Sequence, residues 1–396
     1  MAILTKSKYM TGRQCLKHLW ISVNDPKSIP DTSSAVKERF DQGNLIEKYA
    51  RSLYSNGEHV PTEDFEASIE KTKELIDARK PIFEAGIEAD YGNDKIYARA
   101  DILNPVGDDE WDIIEIKSST KVDNENIHDV SFQKHVYEKA GLKIRNCYIL
   151  HVNNEYVRDG KLEYEKLVKE DDITTEVNGV SGIEERINKM FDVIHTESLE
   201  ELDKKYIDDD GKLSLHVGRH CNVPDKCRIP ICWDPLPKYN VFHLTSRSTR
   251  KTWPNRMELF EKGIIDMAKI PESWVLEENQ EIQKNAVINA EAYFKKEMIK
   301  EFLDELKYPL YYLDFETMSL IIPYDGSKPY QQTPFQYSLH VVQEDGSTEH
   351  FEYLAEGKGD PRPKLFMELS KVLGDKGDII TYNMSFEKGV INNAIK

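Results

Sequence analysis

The chain contains no run approaching the roughly 18 to 20 apolar residues that a membrane-spanning helix needs, so a membrane partner is not expected. Its opening residues, MAILTKSKYMTGRQC, lack the apolar stretch of a secretory signal, and the expected compartment is the cytoplasm. Cysteine is scarce, with 5 in 396 residues. A disulfide framework is therefore not what holds the fold, which leaves thiols or metal ligands. Positive charge is in deficit: 53 Lys and Arg stand against 71 Asp and Glu, a formal net charge of −18. Proteins that coat nucleic acid by bulk electrostatics are basic, because phosphate neutralisation supplies much of their affinity. The acidic balance argues against that class. It does not argue against an enzyme with a local basic groove and clustered catalytic carboxylates. Internal repeats and low-complexity segments are also lacking.

What is present, 39% hydrophobic and 31% charged residues, fits a globular protein. A length of 396 residues exceeds what one core usually organises, so two or three domains are expected. Residues 1–78 read as helical; in SSAVKERFDQGNLIEKYARSLY, Val36, Phe40, Ile46 and Tyr49–Ala50 recur near helical spacing. After Pro81 the period changes. IFEAGIEADY, DKIYARADILNP and EWDIIEIKSS read as three strands, separated by Gly-Asn and Gly-Asp-Asp turns. The helix NIHDVSFQKHVYEKAG follows, with Gly141 as its cap, and then a fourth strand, RNCYILHVN. Residues 155–220 read as polar and mostly helical, with Asp208–Asp210 in a solvated loop.

Pro235 to Pro237 mark a boundary. Residues 236–306 read as a helical connector containing one long helix over ENQEIQKNAVINAEAYFKKEMIKEFLDEL. Within it, Lys262-Gly263-Ile264 is either a phosphate-contacting helical hairpin or a glycine-capped helix end. The basic run SRSTRKTWPNR is either a nucleic-acid contact or a solvated loop. From residue 307 a second β-rich unit is expected: strands at YPLYYLDFET, PFQYSLHVV, HFEYLA and GDIITYN, with helices at RPKLFMELSKVLG and at the end of the chain.

The chemistry-bearing residues of the first unit are Asp101 and the Glu115-Ile116-Lys117 triplet. Phosphodiester hydrolysis uses a metal ion to polarise a phosphoryl oxygen and to acidify the attacking water. Magnesium or manganese takes hard oxygen ligands. Asp101 and Glu115 on adjacent strands could converge on one ion, with the Ile116 carbonyl as a further ligand. Strand alternation puts Glu115 and Lys117 on one face and Ile116 on the other, so the Lys117 ammonium can orient water or offset phosphate charge. A glutamate inside the apolar run Trp111–Ile116 also needs a reason to be there. The rival reading is a charged, solvent-facing sheet edge.

ARADILNP, DIIEIKSS and a helix carrying Gln133 and Tyr137 four residues apart together resemble the PD-(D/E)XK nuclease superfamily, and more narrowly its RecB-like branch. The resemblance covers about residues 1–235. It implies an α/β, restriction-endonuclease-like core of αβββαβ order, a DNA substrate (single strands or ends), and Gln133 and Tyr137 near the site helping to place that substrate. Where many of these nucleases carry a metal-binding histidine after a glycine, this chain has Gly43 and then Glu47, an oxygen ligand or a plain surface glutamate. Cys15, Cys221, Cys227 and Cys232 resemble the four-cysteine set with which iron–sulfur members hold a four-iron, four-sulfur cluster. Their spacing departs from the usual C-x-x-C start. Zinc on the same residues, His220 in place of one of them, and unliganded structural cysteines stay open. Cys147 reads as ordinary core.

In the last unit Asp314 and Glu316 share a strand face, and Asn383 and Glu387 follow in ITYNMSFEKG. This pattern resembles DEDD exonucleases of RNase H-like fold, joined in one chain to a RecB-like nuclease. It implies two-metal chemistry, and it places the last carboxylates beyond Lys396, which makes this a partial domain with an incomplete second site. The expected organisation is thus a nuclease domain over 1–235, a connector over 236–306 and a partial RNase H-like domain over 307–396. The alternative function is a non-catalytic nucleic-acid-binding or scaffold protein with structural zinc or an iron–sulfur cluster.

Overall fold

A computed structural model of the chain describes residues 1–30, 43, 45–206, 217–222, 227, 229–245, 249–357 and 359–395. The fold is mixed α/β, with two separate sheets. The first sheet is built from β1 (Ile3–Thr5), β2 (Glu58–His59), β3 (Ile82–Tyr91), β4 (Asp94–Val106), β5 (Glu110–Lys117), β6 (Lys143–Val152) and β7 (Val168–Asp172). Its order is β2-β3-β4-β5-β6-β7, and β1 pairs with β4. The β3–β4 and β4–β5 pairs are antiparallel hairpins, whereas β5 and β6 are parallel and joined through the Asn124–Lys139 helix. With the preceding Phe65–Asp77 helix, the order helix, three strands, helix, strand is present as expected.

Both faces of this sheet are covered. Trp111 and Ile113 of β5 pack with Phe132, Val136 and Tyr137 of the Asn124–Lys139 helix, and with Tyr9, Leu19 and Ile21 from the first two helices, Lys6–Gln14 and Leu16–Asn24. Ile114 and Ile116 point the other way, into a core with Ile46 and Ala50 of the helical segment 45–51. This is the alternation a doubly covered strand requires.

Three short strands depart from the sequence reading. β1 and β2 lie in what reads as a helical segment, and β7 lies in the polar stretch after residue 155. Each is too short or too polar to carry an alternating signal; β7, VKEDD, is an edge strand tied to β6 by His151–Asp171 at 2.9 Å. The expected long connector helix is two helices, Glu278–Asn289 and Lys296–Glu305, broken where Ala290 takes a left-handed φ of 53°. The first buries Gln280 and Lys284 and the second buries no residue, so the packing surface ends where the helix does. Gly263, at φ 74°, closes the Thr249–Glu261 helix as a glycine cap. Asp208–Asp210 and Ser246–Ser248 lie outside the described residues.

The second sheet has the order β10-β9-β8-β11, from β8 (Leu310–Ser319), β9 (Gln332–Val342), β10 (Thr348–Leu354) and β11 (Asp378–Ile380). Tyr311, Leu313 and Phe315 of β8 form a core with Leu365 and Leu369 of the Arg362–Val372 helix and Val390 of the Met384–Ile395 helix. Alternation leaves Tyr312, Asp314 and Glu316 exposed on the opposite face. The loop between β8 and β9 reaches the first unit: Ile321 enters its core, and the Tyr330 hydroxyl donates to the Ser118 carbonyl just beyond β5. No helix among the described residues is long and apolar enough to cross a membrane.

Candidate active site

The site forms where two strands, β1 and β5, end alongside a third, β4. β4 is 13 residues long, and β3 runs along one side of it from Asp94 to Leu103. On its other side, β5 covers Ile102–Val106 running antiparallel, and β1 covers Lys95–Tyr97 running parallel. The two strands therefore approach end to end, leaving a gap beside Ala98–Asp101. Glu115, Ile116 and Lys117 enter this gap from one end. Lys6, the residue after Thr5, enters from the other.

At the gap the β3–β4 ladder is irregular. Ile82, Ala85 and Ile87 all face the first core, so the alternation slips by one residue between Ile82 and Ala85, and Ala100 and Leu103 on β4 slip in step. Glu84 takes up the slip with a φ of 59°, a left-handed conformation uncommon outside glycine. The Tyr137 hydroxyl pins both strands there, donating to the Ala85 carbonyl and accepting the Ala100 N–H at 3.0 Å. Asp101, released from the ladder, turns its carboxylate to the Ile116 N–H at 2.6 Å.

Around Glu115 the charges close into one network. Its Oε1 accepts from both Lys6 Nζ and Lys117 Nζ at 2.7 Å, and its Oε2 accepts from Gln133 Nε2 at 2.7 Å. Asp129 answers the same donors, with Lys117 at 2.7 Å, Gln133 at 3.0 Å and Lys6 at 3.5 Å. Glu115 is 2% exposed and Gln133 fully buried. Burial opposes ionisation of Glu115, but Lys117 and Lys6 outweigh it and hold the carboxyl well below its usual range. Burial, and then the Glu115 charge, push Asp101 the opposite way, up to about 8. Burial also opposes the charge on Lys117, yet Glu115, Asp129 and Asp101 keep it firmly an ammonium.

Glu47 stands at the edge of this network. Burial first, then Glu84, raise its pKa, and it feels Glu115 and Arg99 as well. Arg51 joins Glu47 at 2.9 Å to Glu84, which also holds Arg99 Nε at 2.8 Å. The structure thus brings together Asp101, Glu115, Ile116, Lys117 and Gln133, with Glu47 close by. Tyr137 lies behind them, its hydroxyl spent on backbone. Sequence reasoning missed Lys6, Glu84 and Asp129. Asp129 precedes Gln133 by four residues on the same helix face, a spacing that could have found it; Lys6 carries no such local signal.

The four cysteines are near enough to feel one another's charge. Cys15 sits in extended conformation at the joint between the first two helices, while Cys221 and Cys227 are buried. Burial raises the Cys15 thiol, raises Cys221 to about 12 and Cys232 to about 11, and each of the three also feels its sister cysteines. None is in a disulfide, and His220 Nε2 lies 3.6 Å from Cys221 Sγ. Cys147 is fully buried in β6, facing the first core. In the second unit, Glu387 is buried at the foot of its helix with Oε2 unpartnered, and burial together with Asp314 and Glu316 pushes it up to about 7. Asn383 caps that helix, its carbonyl accepting the Phe386 and Glu387 N–H groups. Among the described residues no group of three or more His, Cys, Asp or Glu is arranged to hold a metal ion as it stands.

Residues 311–396, from β8 to the end of the chain, match the model of a domain of unknown function, DUF2779. No curated protein matches the chain. Among solved structures, the crystal structure of SSO0001 is similar at 10% sequence identity and a TM-score of 0.27, covering 48% of this chain and 76% of that one. A likeness at that score carries no argument.

Proposed function

We propose that this protein is a divalent-metal-dependent nuclease that hydrolyses DNA phosphodiester bonds, in single strands or at DNA ends. The observation that carries the reading is the meeting of Asp101, Glu115 and the Lys117 ammonium in one buried gap where β5 ends beside the middle of β4. Two buried carboxylates that resist joint ionisation are the donor chemistry that a hard divalent cation, Mg2+ or Mn2+, satisfies. Asp101, Glu115 and the Ile116 carbonyl would hold it, with Glu47 as a further oxygen. Such an ion supplies electrophilic polarisation of the phosphoryl oxygen and a more acidic attacking water.

The chain's own residues do the rest. Gln133 and Asp129 fix Glu115 and Lys117 from the helix side, so both are aimed before substrate arrives. The Lys117 ammonium is placed to offset charge on the phosphate and orient the water. Tyr137 holds the irregular ladder that frees Asp101. DNA as substrate rests on the family resemblance alone.

The mutual proximity of Cys15, Cys221, Cys227 and Cys232 favours a second cofactor, a four-iron four-sulfur cluster or a zinc ion, clamping the N-terminal helices to the segment near residue 227. The influence of Asp314 and Glu316 on the buried Glu387 favours an RNase H-like carboxylate site in the last unit. A non-catalytic scaffold built on the same cysteines is the rival. End-labelled single- and double-stranded oligonucleotides with Mg2+ or Mn2+ separate the two: cleavage that disappears in Glu115→Ala supports the nuclease, and no cleavage with either metal removes it.

A further inference from the structure

Lys6 has no place in the reading so far, yet its ammonium sits on the carboxylate at the centre of the site. The position is built in. Ile3–Thr5 is zipped onto Lys95–Tyr97, Thr5 caps the Lys6–Gln14 helix, and Tyr9 stacks on Phe132 with ring centroids 4.3 Å apart. The Lys6 backbone is thus held at the mouth of the gap, and its side chain alone is free to reorient; that side chain is 23% exposed, against 2% for Glu115.

Lys6 and Lys117 place two ammonium groups on one oxygen, Glu115 Oε1, each at 2.7 Å, and each opposes the charge of the other. The network sets Asp101, Glu115 and Asp129 around these two cations. Lys117 belongs to β5 and has Asp129 at 2.7 Å as a second anchor, whereas Lys6 reaches Asp129 only at 3.5 Å. Of the two cations, Lys6 is the one that can leave. A metal ion on Glu115 and two ammonium groups on one of its oxygens cannot all be accommodated, because like charges at that range in a low-dielectric site repel strongly.

We propose that Lys6 is an internal counter-cation that competes with the divalent metal for Glu115, so that the N-terminal strand–helix turn sets how much metal the site requires. In the metal-free protein its ammonium pairs with Glu115 and keeps the carboxylate aligned; on loading, Glu115 exchanges the ammonium for the ion. This deepens the nuclease reading and rests on it for the identity of the metal ligands. Lys6 is a positioning residue in this account, because it acts through Glu115.

The test reads metal binding rather than turnover. Mn2+ is titrated into the full chain and followed by electron paramagnetic resonance, for wild type, Lys6→Met, Lys6→Gln and Lys6→Arg, each also in a Glu115→Gln background. Removing the charge should tighten Mn2+ binding by about tenfold or more, the size of an ordinary coupling between two ligands. Lys6→Arg should bind like wild type, and every difference should vanish in Glu115→Gln. Unchanged or weaker binding in the charge-removing variants overturns the proposal, as does an effect that survives Glu115→Gln. If those variants do not fold, nitrogen-labelled lysine NMR of the wild type decides. The Lys6 ammonium resonance, assigned by Lys6→Arg, should move on adding Mg2+, and a static resonance overturns the proposal. A chain that binds Mn2+ in this way but cleaves nothing loses only the nuclease reading. A chain that cleaves but whose Mn2+ affinity ignores Lys6 loses only this inference.

Discussion

Replacing Tyr137 with phenylalanine tests whether the irregular ladder at Glu84 and Asp101 is held as described. The substitution keeps the ring in the core beside Phe132 and Val136 and removes only the hydroxyl, so no sizeable cavity opens. Two backbone groups lose their partner, the Ala85 carbonyl and the Ala100 N–H, in a place the Tyr137 side chain closes to water. Each buried group left unpaired costs about 1–3 kcal/mol, and a loss of about 2–6 kcal/mol is expected for the pair. The strain already stored at Glu84, of order 1–3 kcal/mol, has the same clasp to hold it in place. Urea unfolding followed by tryptophan fluorescence reads this unit directly, since Trp20 and Trp111 lie in the same core. Cleavage should fall as well, by about 100-fold if Asp101 shifts by about an ångström. A stability loss below about 1 kcal/mol with unchanged cleavage would refute the clasp.

Asp129→Asn keeps the shape but weakens the hold on Lys117, and a drop of about 10- to 100-fold in kcat with little change in KM is expected; an unaffected kcat contradicts the assignment. His128 is held down to about 4 by burial and then by Arg13 and Arg186, from an ordinary 6.5. Its folded state therefore favours the neutral ring, so its contribution to stability is complete above pH 6.5 and lost as pH falls through about 4. In urea midpoints across that window, His128→Gln should show a shallower decline than wild type, and parallel curves would show that the residue is not responsible. Cys227→Ser should release bound iron or zinc on elemental analysis and lower the thermal midpoint; an unaltered metal content and midpoint would leave the cysteines as plain core.

Much of the first unit is legible in the sequence because local signals agree there. Strand alternation, Gly-Asn and Gly-Asp-Asp turns and a capped helix all point to the same order, which puts Glu115 and Lys117 at the end of β5 and Asp101 on the adjacent β4. Gln133 was visible through its fixed spacing to Tyr137. The role of Tyr137 was not, because it depends on which backbone atoms the ladder leaves free at Ala85 and Ala100. Lys6 stands 109 positions from Glu115, and only the head-to-head approach of β1 and β5 along β4 brings the two together. Glu84 takes a conformation that no propensity favours for glutamate. The break at Ala290 escapes for the converse reason: no glycine or proline marks it, and what ends the helix is the end of the surface it packs on.

The central claim is that the gap between the ends of β1 and β5, alongside β4, is a metal-dependent hydrolytic site, and one measurement bears on it most directly. Wild type, Asp101→Asn and Glu115→Ala are incubated with an end-labelled single-stranded oligonucleotide in Mn2+ and in chelator, after near-UV circular dichroism shows equal folding. Metal-dependent cleavage by wild type, reduced by at least about 100-fold in both variants, is the predicted result. Cleavage that survives in Glu115→Ala, or a wild type inert with Mg2+ and Mn2+ alike, would contradict it.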